Sequence, residues 1–189
     1  NETPWVLDAD NETEQKHRLV DFFDENLIAN RLNLAVDKLK TLQNIDGSYL
    51  WYPGMFGSTM VTTAIEEMLV RLQVMVGHSQ LSSLNSQFNK AFNYLGKEMV
   101  ELVKEMKKQE KKGIKQTFPS QKALQYLYIY TLDGRKPSIK VSEAQNYLKK
   151  LLKKEGRNLT IYDKAMACIV LNSGLFLKSL HEWSTYKTS

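Results

Sequence analysis

The chain has one cysteine, three histidines and four prolines in 189 residues, and each scarcity closes off a class of protein. A single cysteine, Cys168, cannot make an internal disulfide or an all-cysteine metal site. It lies in the apolar stretch Ala165-Met166-Ala167-Cys168-Ile169-Val170, where a buried structural thiol is expected. His17, His78 and His181 are far apart, and His181-Glu182 lacks the second histidine of a zinc-binding helix. The acidic run Asp8, Asp10, Glu12, Glu14 lacks the glycine and distal glutamate of a calcium loop and reads as an acidic helix start. Glu66 and Glu67 are adjacent, so on a helix they diverge by about 100° instead of converging on a substrate. There is no glycine-rich phosphate loop and no Gly-x-Ser-x-Gly elbow. No catalytic, cofactor-binding or metal-ligating residue is assigned, and no enzyme activity is expected. No apolar run approaches the ~18 to 20 residues of a membrane span, so no membrane insertion is expected. Asn11-Glu12-Thr13 and Asn158-Leu159-Thr160 match the glycosylation sequon, a pattern short enough to arise by chance.

What is present is a hydrophobic share of 42%, enough for a core, and a formal net charge of +5. The lysines gather at Lys104, Lys107, Lys108, Lys111, Lys112 and Lys115, and again at Lys149, Lys150, Lys153 and Lys154. Glu101, Glu105 and Glu110 alternate with the first group, and both groups fall near expected helix C-termini, where cations complement the macrodipole. Solvated helix ends are expected, and nucleic acid is not an expected partner.

Apolar residues recur at helical spacing along nearly the whole chain. Asn11 with Glu14 makes a capping-box variant, followed by Leu19, Phe22 and Phe23. Asp24 caps a helix with the stripe Ile28, Leu32, Ala35, Leu39, Leu42, ended by the Asp46-Gly47 turn. Ser58 caps one carrying Val61, Ile65, Met68, Leu69, Leu72 and Val76, with Gly77 at its C-terminus. Phe88, Phe92, Leu95, Met99, Leu102 and Met106 form the cleanest stripe. Pro119-Ser120 opens a helix with Leu124, Leu127, Tyr128 and Thr131, closed by Asp133-Gly134. Helices through Ala144, Tyr147, Leu148, Leu151 and through Tyr162, Ala165, Met166, Ile169 follow, the second capped by Thr160, and a last one presents Phe176, Leu180 and Trp183. The expectation is all-α: about eight helices in antiparallel hairpins, a single helical domain over 1–189, with the hairpin spacing of helical repeats.

The strongest local signature is Leu42-Gln43-Asn44-x-Asp46-Gly47-Ser48-Tyr49-x-Trp51-Tyr52-Pro53-Gly54-Met55. Gln43 and Asn44 can bond carbonyls at a helix end, and Asp46-Gly47 turns the chain. This resembles the Gln-Trp type turns that clamp one hairpin to the next in α/α toroids. The expectation is that Trp51, Tyr52 and Met55 fold back over a hairpin end. The alternative is that they form an exposed patch for a partner.

These residues resemble a family. Glu2-Thr3-Pro4-Trp5-Val6-Leu7-Asp8-Ala9, with Glu14-Gln15 and Arg18-Leu19, is similar to a segment of bacterial alpha-2-macroglobulin-like proteins. So are Leu42-Gln43-Asn44-x-Asp46-Gly47-Ser48 leading into Trp51-Tyr52-Pro53-Gly54-Met55, with Ser58, Val61-Thr62 and Ile65 behind it. Leu159 to Ala167 is similar to a further helix of the same region, usually written with glycine where Asp163 stands. Residues 79–132 match only in helical pattern. The resemblance implies the thioester domain, an α/α toroid of the terpenoid-cyclase-like kind, here an incomplete arc of a much larger protein. It implies protease trapping by the full-length protein, proteases and other domains of the same chain as partners, and export to the periplasm or cell envelope. The family's reactive bond needs Cys-x-Glu-Gln, whereas Cys168 is followed by Ile169, Val170 and Leu171, so no reactive residue is carried over. Two other classes stand beside this reading: an α/α toroid enzyme acting on carbohydrate or terpenoid, and a helical scaffold binding nucleic acid through its lysines.

Overall fold

The computed structural model describes residues 12–22, 25–155 and 159–172. The chain divides into two compact units, Asn1–Leu42 and Gln43–Ser189. The first holds α1 (Glu12–Phe22) and α2 (Glu25–Thr41). The second holds α3 (Thr59–Val76), a 3-10 segment (His78–Leu84), α4 (Asn85–Lys111), α5 (Gln121–Asp133), α6 (Ile139–Glu155) and α7 (Ile161–Leu171). Among the described residues the secondary structure is helical apart from isolated bridges in one loop. The expected caps Asn11 and Asp24 and the expected helix through Phe176, Leu180 and Trp183 lie outside the described residues.

Side-chain caps fix the starts of α3, α5 and α7. Ser58, Ser120 and Thr160 have extended backbones and accept from the N–H of Val61, Ala123 and Asp163 at 3.3, 3.4 and 3.1 Å. Each satisfies a donor that the helix leaves without an internal partner. At the far end of α5 the Gly134 N–H returns to the Tyr130 carbonyl at 3.1 Å, where Asp133-Gly134 was expected to stop it.

The second unit is built by alternation. α3 packs mainly on α5, α5 on α7, and α4 on α6, with smaller contacts of α3 on α4 and α6 on α7. The expected hairpins therefore contribute less than the pairs two helices apart. Those pairs run parallel. Glu67 meets Gln125 and Arg71 meets Tyr128 between α3 and α5. Gly96 lies beside Val141, and Glu110 beside Tyr147, between α4 and α6. The result is one layer of α3, α5 and α7 against a second of α4 and α6.

Core faces follow the expected stripes where one face alone is apolar. Phe88, Phe92, Leu95, Met99 and Met106 are buried on α4, with Val103 completing the row and Leu102 half-buried. On α5, Leu124, Leu127, Tyr128 and Thr131 are all buried. Three stripes need correction. On α2 it is Val36 that is buried, while Leu32 and Ala35 are exposed. On α3, Met68 and Leu72 face solvent, and the buried face carries Val61, Thr62, Thr63, Glu66, Leu69 and Val70. α3 is apolar nearly all round, so its own sequence leaves the face undecided and the partners choose it. The threonines tolerate burial because Thr62 and Thr63 donate to the carbonyls of Ser58 and Thr59, both at 2.7 Å. On α7 the buried set is Asp163, Met166, Ala167 and Val170, the i, i+3, i+4, i+7 pattern. Cys168 lies off that face and is exposed, contrary to the expected buried thiol.

Candidate interaction surface

The loop 43–58 carries the signature motif, and its first half is pinned. Asn44 N–H donates to the Ser48 carbonyl at 2.8 Å and Gly47 N–H to the Asn44 carbonyl at 3.0 Å. The Asp46 carboxylate accepts from both the N–H and the hydroxyl of Ser48, at 2.9 and 2.6 Å, an Asx turn. Gln43 donates across the turn to the Gly47 carbonyl and outward to the Gln87 carbonyl of α4, at 3.2 and 2.9 Å. Tyr49 N–H donates to Thr62 Oγ1 of α3 at 2.8 Å, and Ser58 N–H to the Tyr49 carbonyl at 3.0 Å.

Two glycines make this docking possible. Gly47 has φ +96°, and a Cβ there would stand 2.1 Å from the Lys90 carbonyl oxygen. At Gly57 a Cβ would stand 1.8 Å from Ser48 Oγ. Backbone therefore lies directly on backbone at Gly47, which no other residue type permits.

The second half of the motif does the opposite of what was expected. Trp51 is 56% exposed, Tyr52 69%, Met55 51% and Phe56 97%. The aromatic that folds inward is Tyr49, fully buried with Leu50 beside it in sequence. So the clamp onto α3 and α4 is polar, made by Gln43, Gly47 and Tyr49 N–H. Trp51, Tyr52 and Met55 do not cover a hairpin end; with Phe56 and the fully exposed Ile45 they stand in water on an anchored loop. No protein-family model, curated protein or solved structure matches this chain. The exposed apolar loop is therefore read on its own physics, as a candidate contact surface.

Two further clusters escaped the sequence reading. Glu67 accepts from Arg71 Nη2 at 2.6 Å, from Gln125 Nε2 at 3.3 Å and from the Tyr162 hydroxyl at 3.3 Å, joining α3, α5 and α7. Arg71 also donates to Tyr162 at 2.7 Å and lies over the Tyr128 ring. The i, i+4 pair Glu67 and Arg71 on an otherwise apolar helix was its only signal. Asp163 accepts from the Thr160 hydroxyl at 2.7 Å and from Gln121 Nε2 at 3.4 Å, joining the start of α7 to α5.

Glu66 is fully buried and neither carboxylate oxygen has a partner among the described residues. Burial holds its carboxyl well above the usual carboxylate range, with the Arg135 charge opposing and Asp133 reinforcing the shift. The Tyr49 hydroxyl is likewise unpartnered, and burial together with Glu66 pushes it up. The expected divergence of Glu66 from Glu67 is seen: one enters the core, the other a polar network.

Among the described residues no cluster of His, Cys, Asp and Glu could hold a metal ion, and no helix is long and apolar enough to cross a membrane. His17 is exposed on α1, while His181 lies outside the described residues. Lys104 and Lys108 pair with Glu101 and Glu105 one helical turn back, at 3.2 and 3.6 Å on exposed surface, as solvated helix faces do.

Proposed function

We propose that this chain is a structural and interaction module of an alpha-2-macroglobulin-like protease inhibitor. It would form an arc of an α/α toroid whose anchored aromatic loop docks on another domain of the same large protein. The observation that carries this reading is the division of the loop. Its polar half is fixed to two helices, and its apolar half, Trp51, Tyr52, Met55 and Phe56, is held out to solvent. An apolar projection whose base is already fixed binds at lower entropic cost than a free segment, because part of the ordering is already done. Two parallel layers of alternate helices are also what an arc of a helical toroid requires, and the family resemblance supplies the rest: export to the periplasm or cell envelope, and confinement of an attacking protease by the whole protein.

The enzyme reading has less support. A glycosidase-type toroid needs a carboxylate pair free to act, and Glu67 and Asp163, on the same layer, are each engaged by neighbours. The test uses the full reading frame that contains this chain. Incubated with a broad-specificity protease, the whole protein should slow cleavage of a large protein substrate at stoichiometric amounts. Undiminished cleavage would remove the inhibitor reading. A double substitution Trp51→Ser, Phe56→Ser should weaken that protection without unfolding the module.

A further inference from the structure

The seam between α4 and α6 leaves a long open trough in the second unit. One groove of about 870 Å³ has the half-buried Val100, Pro137 and Val141 as its accessible apolar lining, above the buried Phe92 and Gly96. A second of about 440 Å³ shares Val100 and Lys140 with it and continues along Val103 and Ala144. The lining runs from Asn89 to Lys111 on α4, about 33 Å at ~1.5 Å per residue, the reach of about ten residues of extended chain.

Lysines rim the trough from both helices and from the 134–138 connection. Lys97, Lys111, Lys136 and Lys140 are exposed and have no partner among the described residues. Lys104 and Lys108 are taken up by Glu101 and Glu105, and Lys107 lies over the Tyr147 ring at 5.5 Å. Arg135 is already held by Asp133 and Asn89 and stacked 3.6 Å above Phe92. Glu143, exposed and without a partner among the described residues, also lines the second groove, so four free lysines against one free glutamate leave the rim positive along the edges of an apolar floor.

We propose that the α4–α6 trough binds an acidic peptide segment, in extended form, whose apolar side chains alternate with its carboxylates. The apolar floor takes the side chains facing inward, and the rim lysines take the carboxylates facing out. A single strand of nucleic acid meets the charge but not the floor. Base stacking needs exposed aromatic faces, whereas Phe92 is 1% exposed, capped by Arg135 and edge-on to Tyr130. No unpaired arginine fork stands in the trough to grip phosphates in bidentate fashion.

The experiment measures fluorescence anisotropy of the full chain with a fluorescein-labelled twelve-residue peptide, Asp-Leu-Glu-Phe repeated three times. The triple variant Lys97→Glu, Lys136→Glu, Lys140→Glu is compared with Lys122→Glu, Lys154→Glu, Lys164→Glu, exposed lysines outside the trough with the same change in net charge. The trough variant should lose at least about tenfold in affinity and the control less than about threefold, since only local charges face the bound peptide. Circular dichroism of both variants should match the parent. Equal loss in the two variants overturns the proposal, as does binding of an all-glutamate twelve-mer or a twelve-nucleotide single-stranded DNA as tight as that of the alternating peptide.

Discussion

Glu66 sits in the core as an acid without a hydrogen-bond partner among the described residues, and its cost depends on pH. The folded chain keeps its proton while the unfolded chain releases it above the ordinary carboxylate range. Stability is then full at pH 4 and falls as pH rises toward the folded-state value, by up to about 1.4 kcal/mol per pH unit. Glu66→Gln should accordingly be more stable than the parent at pH 8 and close to it at pH 4. Urea denaturation at the two values measures this, and a parent chain that gains stability between pH 4 and pH 7 through this residue would contradict it. Gly47 makes the opposite kind of demand, on space. Gly47→Ala adds a Cβ into the Lys90 carbonyl at a positive φ, and should cost at least about 2 kcal/mol. A midpoint of thermal unfolding within a degree of the parent would mean that the loop does not lie on α4 as described.

The elements differ in how much of their packing can be read from their own residues. α4 is legible because one stripe is apolar and the rest is charged, so only one face can go inward. Phe92→Ala, which removes the ring under Arg135 and beside Tyr130, should cost about 3 to 5 kcal/mol by denaturant titration. α3 is not legible in the same way: its apolar residues surround it, and the buried side was decided by α5, some sixty residues later in the chain. The loop was half legible. Hydrogen-bonding chemistry at Gln43, Asp46 and Gly47 pointed to a tight turn, and a tight turn is found. Which aromatic turns inward depended on the bond from Tyr49 N–H to Thr62, a register that composition cannot announce. Because Trp51 and Phe56 stand in solvent, Trp51→Ser with Phe56→Ser should change the stability of this chain by no more than about 0.5 kcal/mol. A loss of 2 kcal/mol or more would restore the clamp reading.

At the scale of the molecule, the described residues present an exposed apolar loop and a lysine-rimmed trough, and among them no cluster able to hold a metal ion. On the proposed macroglobulin-like reading, a trap needs a bait segment and rearrangement of a large protein. The purified chain alone should therefore leave a broad-specificity protease fully active on a large protein substrate. Protection at stoichiometric chain, or a covalent adduct through the exposed Cys168, would place inhibition within these 189 residues. The alternation of helices also sets a clock on synthesis. Glu67 of α3 cannot meet Gln125 of α5 until 58 further residues have been added, about 3 to 12 seconds at ~5 to 20 residues per second. During that wait the α3 segment, apolar on nearly every side, lacks the helix that covers it, and it is then that a nascent-chain chaperone has something to hold.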